Sequence, residues 1–244
     1  MKLSSITAFF PCYGDSGTIA TMVLRALQTL PLVTDDYEVV VIDDGSPDDA
    51  NLILDELVRV YPQYVRVIHN SCPSGYGGVL RCGFQKARKD WIFYTDGDAQ
   101  YNPRELVSLV DKVRDDIDMV NGYKIKRRDP FFRVVVGLMY QYFIKFVFGL
   151  VIRDVDCDFR LMRRSIFETV HLEAVSGAIT VELVKKIQDA GFRIVEAPVS
   201  HYYRQYGLSQ FFNFKRVAQT VLKLFMWWWR LVIRKEHLRD RRVA

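Results

Sequence analysis

The sequence has few cysteines and no pattern that would pair them. Its four cysteines form no Cys-x-x-Cys pair and have no histidine at metal-ligand spacing, which argues against a zinc site and a disulfide framework. A secretory signal is also missing, because no basic segment precedes an apolar run with a cleavage site. We therefore expect free thiols in a reducing, cytoplasmic compartment, with Ile6 to Phe10 as a first buried strand.

Negative charge is scarce near the C-terminal end. From His201 onward ten lysines and arginines face only Glu236 and Asp240, in a chain whose net charge is +5. Such a basic tail attracts phosphates, either of nucleic acid or of anionic lipid. The cations alternate with long apolar runs and form no polar ridge, so the pattern favours an anionic membrane surface and argues against nucleic acid.

Up to about Asn121, short apolar runs alternate with longer amphipathic stretches. The predicted strands are Ile6–Phe10, Glu38–Ile42, Val65–Ile68, Trp91–Tyr94 and Asp118–Val120, and the predicted helices are Thr18–Leu30, Asp49–Val60, Val79–Arg88 and Arg104–Val113. This alternation predicts an α/β fold, with a mainly parallel mixed sheet and helices on both faces. Ligands of such sheets bind at the carboxyl ends of the strands.

Four polar or glycine-rich loops are expected at that edge of the sheet. They read Pro11-Cys12-Tyr13-Gly14-Asp15, Asp43-Asp44-Gly45-Ser46-Pro47-Asp48, Ser74-Gly75-Tyr76-Gly77-Gly78 and Asp96-Gly97-Asp98-Ala99-Gln100. Their convergence predicts a ligand site more strongly than any one loop does. The third loop is not a P-loop, because no Gly-Lys-Ser/Thr follows it, and either phosphate contact or a plain helix start fits it.

The fourth loop has the side chains that a hard cation prefers. Asp96 and Asp98 flank a glycine directly after an apolar strand, and Gln100 adds another oxygen. Mg²⁺ or Mn²⁺ bound there would bridge the phosphates of a diphosphate leaving group. The alternative is an acidic turn that caps the following helix.

The second loop places two carboxylates in tandem at a strand end. Asp43 and Asp44 can accept hydrogen bonds from a nucleotide base or a ribose hydroxyl. Helix capping and turn formation explain Ser46 to Asp48 well, but they explain the tandem carboxylates poorly. We therefore expect Asp43 and Asp44 to contact a nucleotide.

Together these loops resemble glycosyltransferase family 2, and within it the dolichyl-phosphate mannose synthase-like, or polyprenyl-phosphate glycosyltransferase, branch. The first loop resembles the branch's Pro-x-Tyr-Asn-Glu donor loop, and the second matches its Asp-Asp-Gly-Ser-Pro-Asp run. The fourth, followed by Pro103-Arg104-Glu105, resembles its metal segment. Asp158-Phe159-Arg160 resembles a Gly-Phe-Arg element, and Arg204-x-x-Gly207-x-Ser209 resembles an Arg-x-x-Gly-x-Ser-Lys motif. The resemblance covers roughly Ile6 to Gln210.

The resemblance implies a GT-A fold and an inverting transfer of a hexose from a GDP- or UDP-sugar to a polyprenyl phosphate, either dolichyl or undecaprenyl. The implied donor-binding residues are Pro11, Tyr13, Asp15, Asp43, Asp44, Asp96, Gly97 and Lys124, and the implied metal ligands are Asp96, Asp98 and Gln100. The expected catalytic residues are Asp98, Arg128 and Arg204, and the expected acceptor-phosphate contacts are Arg127, Arg133 and Ser209.

Four positions depart from the family pattern. Gly14 replaces the usual Asn, Asp15 the Glu, Gly97 the central Ala and Gln210 the terminal Lys. Loss of that lysine leaves open how the diphosphate is neutralised and which donor is used. Arg127, Arg128 or Arg133 could supply the missing charge, and contact with a membrane surface explains these three arginines equally well.

A long apolar segment from Arg133 to Ile152 is interrupted at every fourth residue, by Arg133, Gly137, Gln141, Lys145 and Gly149. This spacing predicts a helix over about 131–152 with one narrow polar stripe. A transmembrane span here would put Asp96 and Arg204 on opposite sides of the bilayer. We therefore expect an interfacial helix, with a buried core helix as the alternative.

We divide the chain into a GT-A catalytic domain at residues 1–210, which includes this helix, and a basic amphipathic C-terminal helix and tail at 211–244. Trp227-Trp228-Trp229 beside Arg230 predicts an interface anchor, with indoles at headgroup depth and cations on lipid phosphates. Basic residues interrupt this segment too often for a membrane span. We expect a peripheral protein on the cytoplasmic face of a membrane, with a membrane-protein partner at this helix as an alternative.

The acceptor decides whether the reaction needs a general base. A phosphate monoester is largely dianionic at neutral pH and is already a nucleophile, whereas a sugar hydroxyl needs a base. The candidates for that base are Asp156, Asp158 and Glu182. A family 2 transferase acting on a hydroxyl of a glycan or glycolipid is therefore the main alternative. A sugar nucleotidyltransferase is disfavoured because its Gly-rich, Arg-bearing N-terminal loop is absent, and a non-catalytic scaffold because the metal motif is intact.

Overall fold

A seven-stranded sheet organises the part of the chain that the computed structural model describes, which is residues 2–127, 131–206 and 222–239. The strands are β1 (Ile6–Cys12), β2 (Tyr37–Asp43), β3 (Val65–His69), β4 (Trp91–Thr95), β5 (Met119–Arg127), β6 (Phe159–Arg163) and β7 (Ile194–His201). Their order across the sheet is β3-β2-β1-β4-β6-β5-β7. Strand β6 runs antiparallel to both neighbours and the other pairs are parallel, so the predicted mainly parallel mixed sheet is confirmed.

Helices cover both faces of this sheet. They are α1 (Ile19–Val33), α2 (Ala50–Val60), α3 (Tyr76–Lys86), α4 (Leu106–Val110), α5 (Phe131–Phe148), α6 (Ile166–Thr169), α7 (Ile179–Asp189), α8 (222–228, continued by a π-helical turn at Trp229–Ile233) and α9 (Glu236–Arg239). A 3-10 turn at Pro103–Glu105 precedes α4. Helices α1, α2 and α4 pack on one face, whereas α3 and α5 to α8 pack on the other.

The central strands are buried on both sides, which is why they read as continuous apolar runs. In β1, Ala8 and Phe10 belong to the core under α1 and α2, and Phe9 belongs to the core under α3. Side chains alternate across a strand, so a strand between two helical layers needs apolar residues at every position. All seven residues of β1 are buried accordingly.

Several predicted elements have different bounds in the structure, and three of these differences have a clear physical reason. Strand β5 continues to Arg127, well beyond the predicted end at Val120, because β7 pairs with it along its whole length. The helix predicted over Arg104–Val113 is a 3-10 turn followed by the short α4. The helix predicted over about 131–152 ends at Phe148, since Gly149 adopts a left-handed conformation with φ +64°.

Helices α5 and α8 pack together and leave apolar side chains in solvent. The Trp228 indole Nε1 donates to the Val147 carbonyl at 3.1 Å. The exposed apolar residues are Met139, Tyr142, Phe143 and Phe146 on α5, and Leu222, Phe225, Met226, Trp229 and Ile233 on α8. Among the described residues, no helix has both the length and the apolar character needed to cross a bilayer.

The prediction of three membrane-facing indoles is wrong for Trp227. Its ring is buried in the core, within 4.6 Å of the Arg230 guanidinium, and only Trp229, which is 48% exposed, turns outward. Successive residues of a helix point about 100° apart, so three adjacent rings cannot share one surface. Arg230, predicted to meet lipid phosphates, instead pairs with Glu173 and Glu236 at 2.7 and 2.6 Å.

Candidate active site

The four polar loops lie at one edge of the sheet, as predicted. Cys12, Asp43 and His69 end β1, β2 and β3 at the same level of the parallel register. The reversed strand β6 starts at this edge, where Phe159 pairs with Thr95. Asp158, which directly precedes β6, is therefore brought next to the loop that follows β4.

Three carboxylates gather where β4 ends, of which Asp98 is buried and Asp96 and Asp158 are half-buried. The Tyr76 hydroxyl donates to Asp96 Oδ1 at 2.9 Å, and the Tyr94 hydroxyl donates to Asp158 Oδ1 at 3.0 Å. Asp98 Oδ1 accepts the Gln100 backbone N–H at 3.0 Å. Burial, followed by the charges of Asp158 and Asp98, raises the pKa of Asp96 well above its usual range. Burial likewise raises the pKa of Asp98 and of Asp158.

Arg160 partly compensates this negative charge from inside the sheet. It is fully buried, with Nε donating to Asn121 Oδ1 at 2.9 Å and Nη1 donating to the Tyr94 hydroxyl at 3.0 Å. Tyr94 thereby links Arg160 to the Asp158 carboxylate. Sequence reasoning assigned no role to Tyr76, Tyr94 or Arg160, although the Asp158-Phe159-Arg160 motif signalled the arginine.

Arg204 joins two loops by contacting two carboxylates at once. Its Nη2 lies 2.9 Å from Asp15 Oδ1, and its Nη1 lies 3.3 Å from Asp98 Oδ2. Burial and the charge of Asp98 raise the pKa of Asp15 to about 6, although Arg204 opposes this rise. The guanidinium thus stands where positive charge is required, between the first loop and the predicted metal loop.

A strap formed by residues 202–206 carries Arg204 over the site. The Gln100 side-chain amide donates to the Tyr202 carbonyl at 3.2 Å, and the Tyr202 N–H donates to the Gln100 carbonyl at 2.8 Å. The Tyr206 ring packs so closely on Gly17 that no side chain fits at position 17. Gln100, predicted as a metal ligand, is therefore also an attachment point for the strap.

The residues predicted to bind a metal fit a divalent cation. Asp96 and Asp98 lie within one turn, their pKa values are raised by burial, and a guanidinium already stands between Asp98 and Asp15. Hard cations prefer such oxygen donors and stabilise ionised carboxylates. Within the described ranges, no group of three or more His, Cys, Asp or Glu side chains is already arranged around a cation position.

The two tandem carboxylates have different surroundings. Asp43 accepts the Ser46 N–H at 3.0 Å on Oδ1, and His69 Nδ1 lies 2.8 Å from its Oδ2. Asp44 accepts from Ser74 N and Oγ, both at 2.8 Å, and from Gly75 N at 3.0 Å. Asp44 therefore organises the third loop, while Asp43 faces the end of β3.

The glycines of the third loop serve close backbone packing. Gly75 has φ +76°, and a Cβ there would lie 2.7 Å from the Val175 carbonyl oxygen. The Gly77 N–H donates to that same oxygen at 3.3 Å, and a side chain at position 77 would collide with the Ala174 carbonyl. The start of α3 thus packs against residues 174–175, and this packing by itself accounts for the glycines at positions 75 and 77.

The remaining donor-site residues lie around the same edge. Gly97 packs on β1, because a Cβ there would lie 2.8 Å from the Pro11 carbonyl oxygen. The Tyr13 side chain is exposed. Lys124 in β5 is half-buried, and its Nζ donates to the Asp156 carbonyl at 2.8 Å. Burial lowers the pKa of Lys124, but the charges of Asp154, Cys157, Asp156 and Asp158 together outweigh burial and raise it.

The residues predicted to contact the acceptor are only partly described. Arg127 is the last residue of β5 and Arg133 lies in the first turn of α5. Arg128 and Ser209 lie outside the described residues. Glu182, a candidate base, instead accepts the Ala174 N–H at 2.8 Å and forms an ion pair with Lys186 at 2.7 Å.

Comparisons with known proteins give a consistent result. Residues 7–170 match the family model described as glycosyl transferase family 2. The chain is 27% identical over 233 residues to the polyprenol monophosphomannose synthase of Mycolicibacterium smegmatis, covering 89% of this chain and 84% of that protein. It is 24% identical over 210 residues to the undecaprenyl-phosphate 4-deoxy-4-formamido-L-arabinose transferase of Proteus mirabilis. That match covers 86% of this chain but only 64% of the longer relative.

Solved structures of glucosyl-3-phosphoglycerate synthase from Mycobacterium tuberculosis share the fold. The complex with Mn²⁺, UDP and glucosyl-3-phosphoglycerate matches with a TM-score of 0.67 at 16% identity, covering 92% of this chain and 80% of that one. The complex with Mg²⁺ and UDP matches with a TM-score of 0.64 at 18% identity, covering 91% and 79%. The expected GT-A fold is therefore confirmed.

Proposed function

We propose that this chain, which belongs to glycosyl transferase family 2, transfers a hexose from a GDP- or UDP-sugar to a polyprenyl phosphate at a membrane surface. The observation that carries the proposal is the meeting of Asp96, Asp98 and Arg204 at the carboxyl edge of the sheet. Two relatives support the acceptor class, since their names specify a polyprenol and an undecaprenyl phosphate.

The proposed cofactor is Mg²⁺ or Mn²⁺, held by Asp96 and Asp98. A bound divalent ion would supply positive charge for the diphosphate leaving group. The structural relatives solved with Mn²⁺ or Mg²⁺ and UDP support this choice. Arg204 reaches both Asp15 and Asp98 and is therefore well placed to contact a phosphate that enters between these loops.

The proposed acceptor needs no general base, because a phosphate monoester is already ionised. This agrees with the surroundings of two candidate bases, since Asp158 accepts from Tyr94 and Glu182 is held by Lys186. One observation favours the alternative, a transferase acting on a glycan or glycolipid hydroxyl. Burial raises the pKa of Asp156 to about 6, a value that suits a base at neutral pH.

The exposed apolar surface of α5 and α8 supports a membrane location for the acceptor. Phe146 is 88% exposed, and an apolar groove of about 450 Å³ lies between Phe225, Met226, Trp229 and Arg230. Apolar side chains flanked by cations are typical of helices that lie in the interface of anionic membranes. The proposal places the enzyme on the cytoplasmic face. The two curated relatives give no support for the membrane-protein partner considered above, and the proposal leaves it out.

Incubation of the purified protein with a polyprenyl phosphate and a panel of GDP- and UDP-sugars tests the proposal, with products identified by mass spectrometry. We expect one glycosyl phosphoprenol, lost with EDTA and lost in Asp98→Asn. Asp111→Asn, an exposed carboxylate distant in sequence from the site, serves as the matched control and should retain activity. Undiminished product with EDTA or in Asp98→Asn would contradict the metal assignment. Transfer only to a glycan hydroxyl, abolished by Asp156→Asn, would establish the alternative.

A further inference from the structure

His69 joins the candidate donor site to helix α2. It is the last residue of β3 and lies opposite Asp43 in the parallel register of β2 and β3. Its Nδ1 is 2.8 Å from Asp43 Oδ2, and its Nε2 is 3.3 Å from Asp55 Oδ1. The ring therefore bridges a buried carboxylate of the site and an exposed carboxylate of the helix.

The two contacts determine the charge of the ring. Both nitrogens face carboxylate oxygens, which only accept hydrogen bonds when ionised, and a neutral imidazole has just one donor nitrogen. Only the imidazolium form can donate to Asp43 and Asp55 together. Burial lowers the pKa of His69, but its hydrogen bonds to the two carboxylates more than offset this and raise it.

Asp43 is correspondingly fixed as an ionised acceptor. Burial raises the pKa of this carboxyl, but the hydrogen bonds from Ser46 and His69 outweigh burial and lower it. Ser46 N holds Oδ1 and His69 holds Oδ2, so the plane of the carboxylate is set from both sides. Oδ2, which accepts from His69, keeps a further lone pair for a ligand.

We propose that His69 is a positioning residue that orients Asp43 to accept a hydrogen bond from the base or ribose of the donor nucleotide. This inference rests on the proposed function, because it requires a nucleotide-sugar donor at Asp43. His69 itself does not have to touch the nucleotide. It acts through the carboxylate, and Asp55 acts on the nucleotide only through His69.

This arrangement makes donor binding depend on pH. The charged groups that face the ring are Asp43 from β2 and Asp55 from α2. As pH rises through the raised pKa of His69, the ring loses its positive charge, and its single remaining N–H can be donated to Asp43 or to Asp55 but not to both, so Asp43 is held less firmly. Donor affinity should therefore fall on the alkaline side. Without Asp55 the pKa of His69 is lower, so the fall should begin at a lower pH.

Calorimetric titration with UDP-glucose and GDP-mannose tests this inference, with Mg²⁺ present and no acceptor, between about pH 6 and pH 9. We expect His69→Ala to weaken binding roughly tenfold at neutral pH. His69→Asn retains a donor toward Asp43, so it should keep most of the affinity but lose the alkaline fall. Asp55→Asn should shift the fall to lower pH. Glu56→Gln removes the same charge one residue along α2, where Glu56 binds Arg59, and should change nothing.

The outcomes separate this inference from the proposed function. If neither nucleotide sugar binds the wild-type protein, the proposed donor is wrong. If the wild-type protein binds one of them and the His69 and Asp55 variants reproduce its affinity and pH profile, the role of His69 is refuted. Should His69→Ala fail to fold, the folded His69→Asn and Asp55→Asn variants still decide through their pH profiles.

Discussion

Replacing Arg204 by Gln should strengthen metal binding and weaken catalysis. The guanidinium contacts Asp15 at 2.9 Å and Asp98 at 3.3 Å, so a cation bound by Asp98 has to compete with it. Two unit charges about 4 Å apart attract by about 4 kcal/mol at the effective dielectric typical of protein sites. The Arg204 side chain is 24% exposed, and a metal would displace only part of its contacts. We therefore expect a net gain of about 1.4 kcal/mol, which corresponds to about tenfold tighter Mn²⁺ binding.

Electron paramagnetic resonance of free Mn²⁺, titrated with protein in the absence of nucleotide, measures this affinity directly. Glycosyl transfer by the same variant should fall by about 100-fold, because a charge-assisted contact to the donor or acceptor phosphate is lost. Arg104→Gln is the matched control, since the Arg104 side chain is exposed and its Nη2 donates to Gln28, away from the carboxylates of the site. Mn²⁺ affinity that is unchanged or weaker in Arg204→Gln would refute competition between the guanidinium and the cation.

Three further predictions concern stability and membrane binding. The pKa of Asp15 is about 6 in the folded state and 3.8 ordinarily, so the native state holds this proton more tightly than the unfolded state. The free energy of unfolding should therefore fall, by up to about 3 kcal/mol, as pH rises from about 4 to about 6. Asp15→Asn should reduce this fall in urea unfolding curves by the share of Asp15, since Asp96, Asp98 and Asp158 also have raised pKa values; a wild-type-like pH dependence would contradict it. Glu182→Gln should destabilise the fold by about 3 kcal/mol in the same assay, because buried Lys186 loses its buried carboxylate partner and keeps only the half-exposed Glu173. An unchanged midpoint would contradict this. Phe146→Glu should reduce co-sedimentation with anionic vesicles about tenfold. Leu32→Glu is the control and should not reduce it, because Leu32 is 67% exposed on the opposite face of the sheet. Equal loss in both variants would argue against α5 as the element that contacts the membrane.

The first half of the fold was predictable because its physical determinants are local. Strands β1 to β4 are apolar runs between polar loops, and parallel connections bring those loops to one edge. The direction of β6 was not predictable in the same way. Strand β6 has only five residues, Phe159–Arg163, and polar side chains flank it at both ends, so its own sequence does not indicate a direction. Its antiparallel direction follows only from pairing with β4 and β5, which are distant in the chain.

The candidate site was predictable in its carboxylates but not in their partners. Asp96 and Asp98 belong to a short motif with its own chemistry. The burial of Arg160 depends on Asn121 and Tyr94, which lie 39 and 66 residues away in the chain, so no local pattern reports it. The prediction that Trp227 faces a membrane is wrong for a similar reason. Packing on α7 sets the rotation of α8 about its axis, and the composition of the helix does not report it.

Because β6 runs in the reverse direction, two separate stretches of the chain form the two sides of the candidate site. Loops after β1, β2 and β4 approach the pocket from strands that run toward it, whereas residues 154–158 approach it before their strand begins. Changes of length or sequence just ahead of Phe159 can therefore reshape one side of the pocket while the loops of the other side keep their anchoring. A single rigid sheet thus supports two sides of the site that can vary independently in sequence.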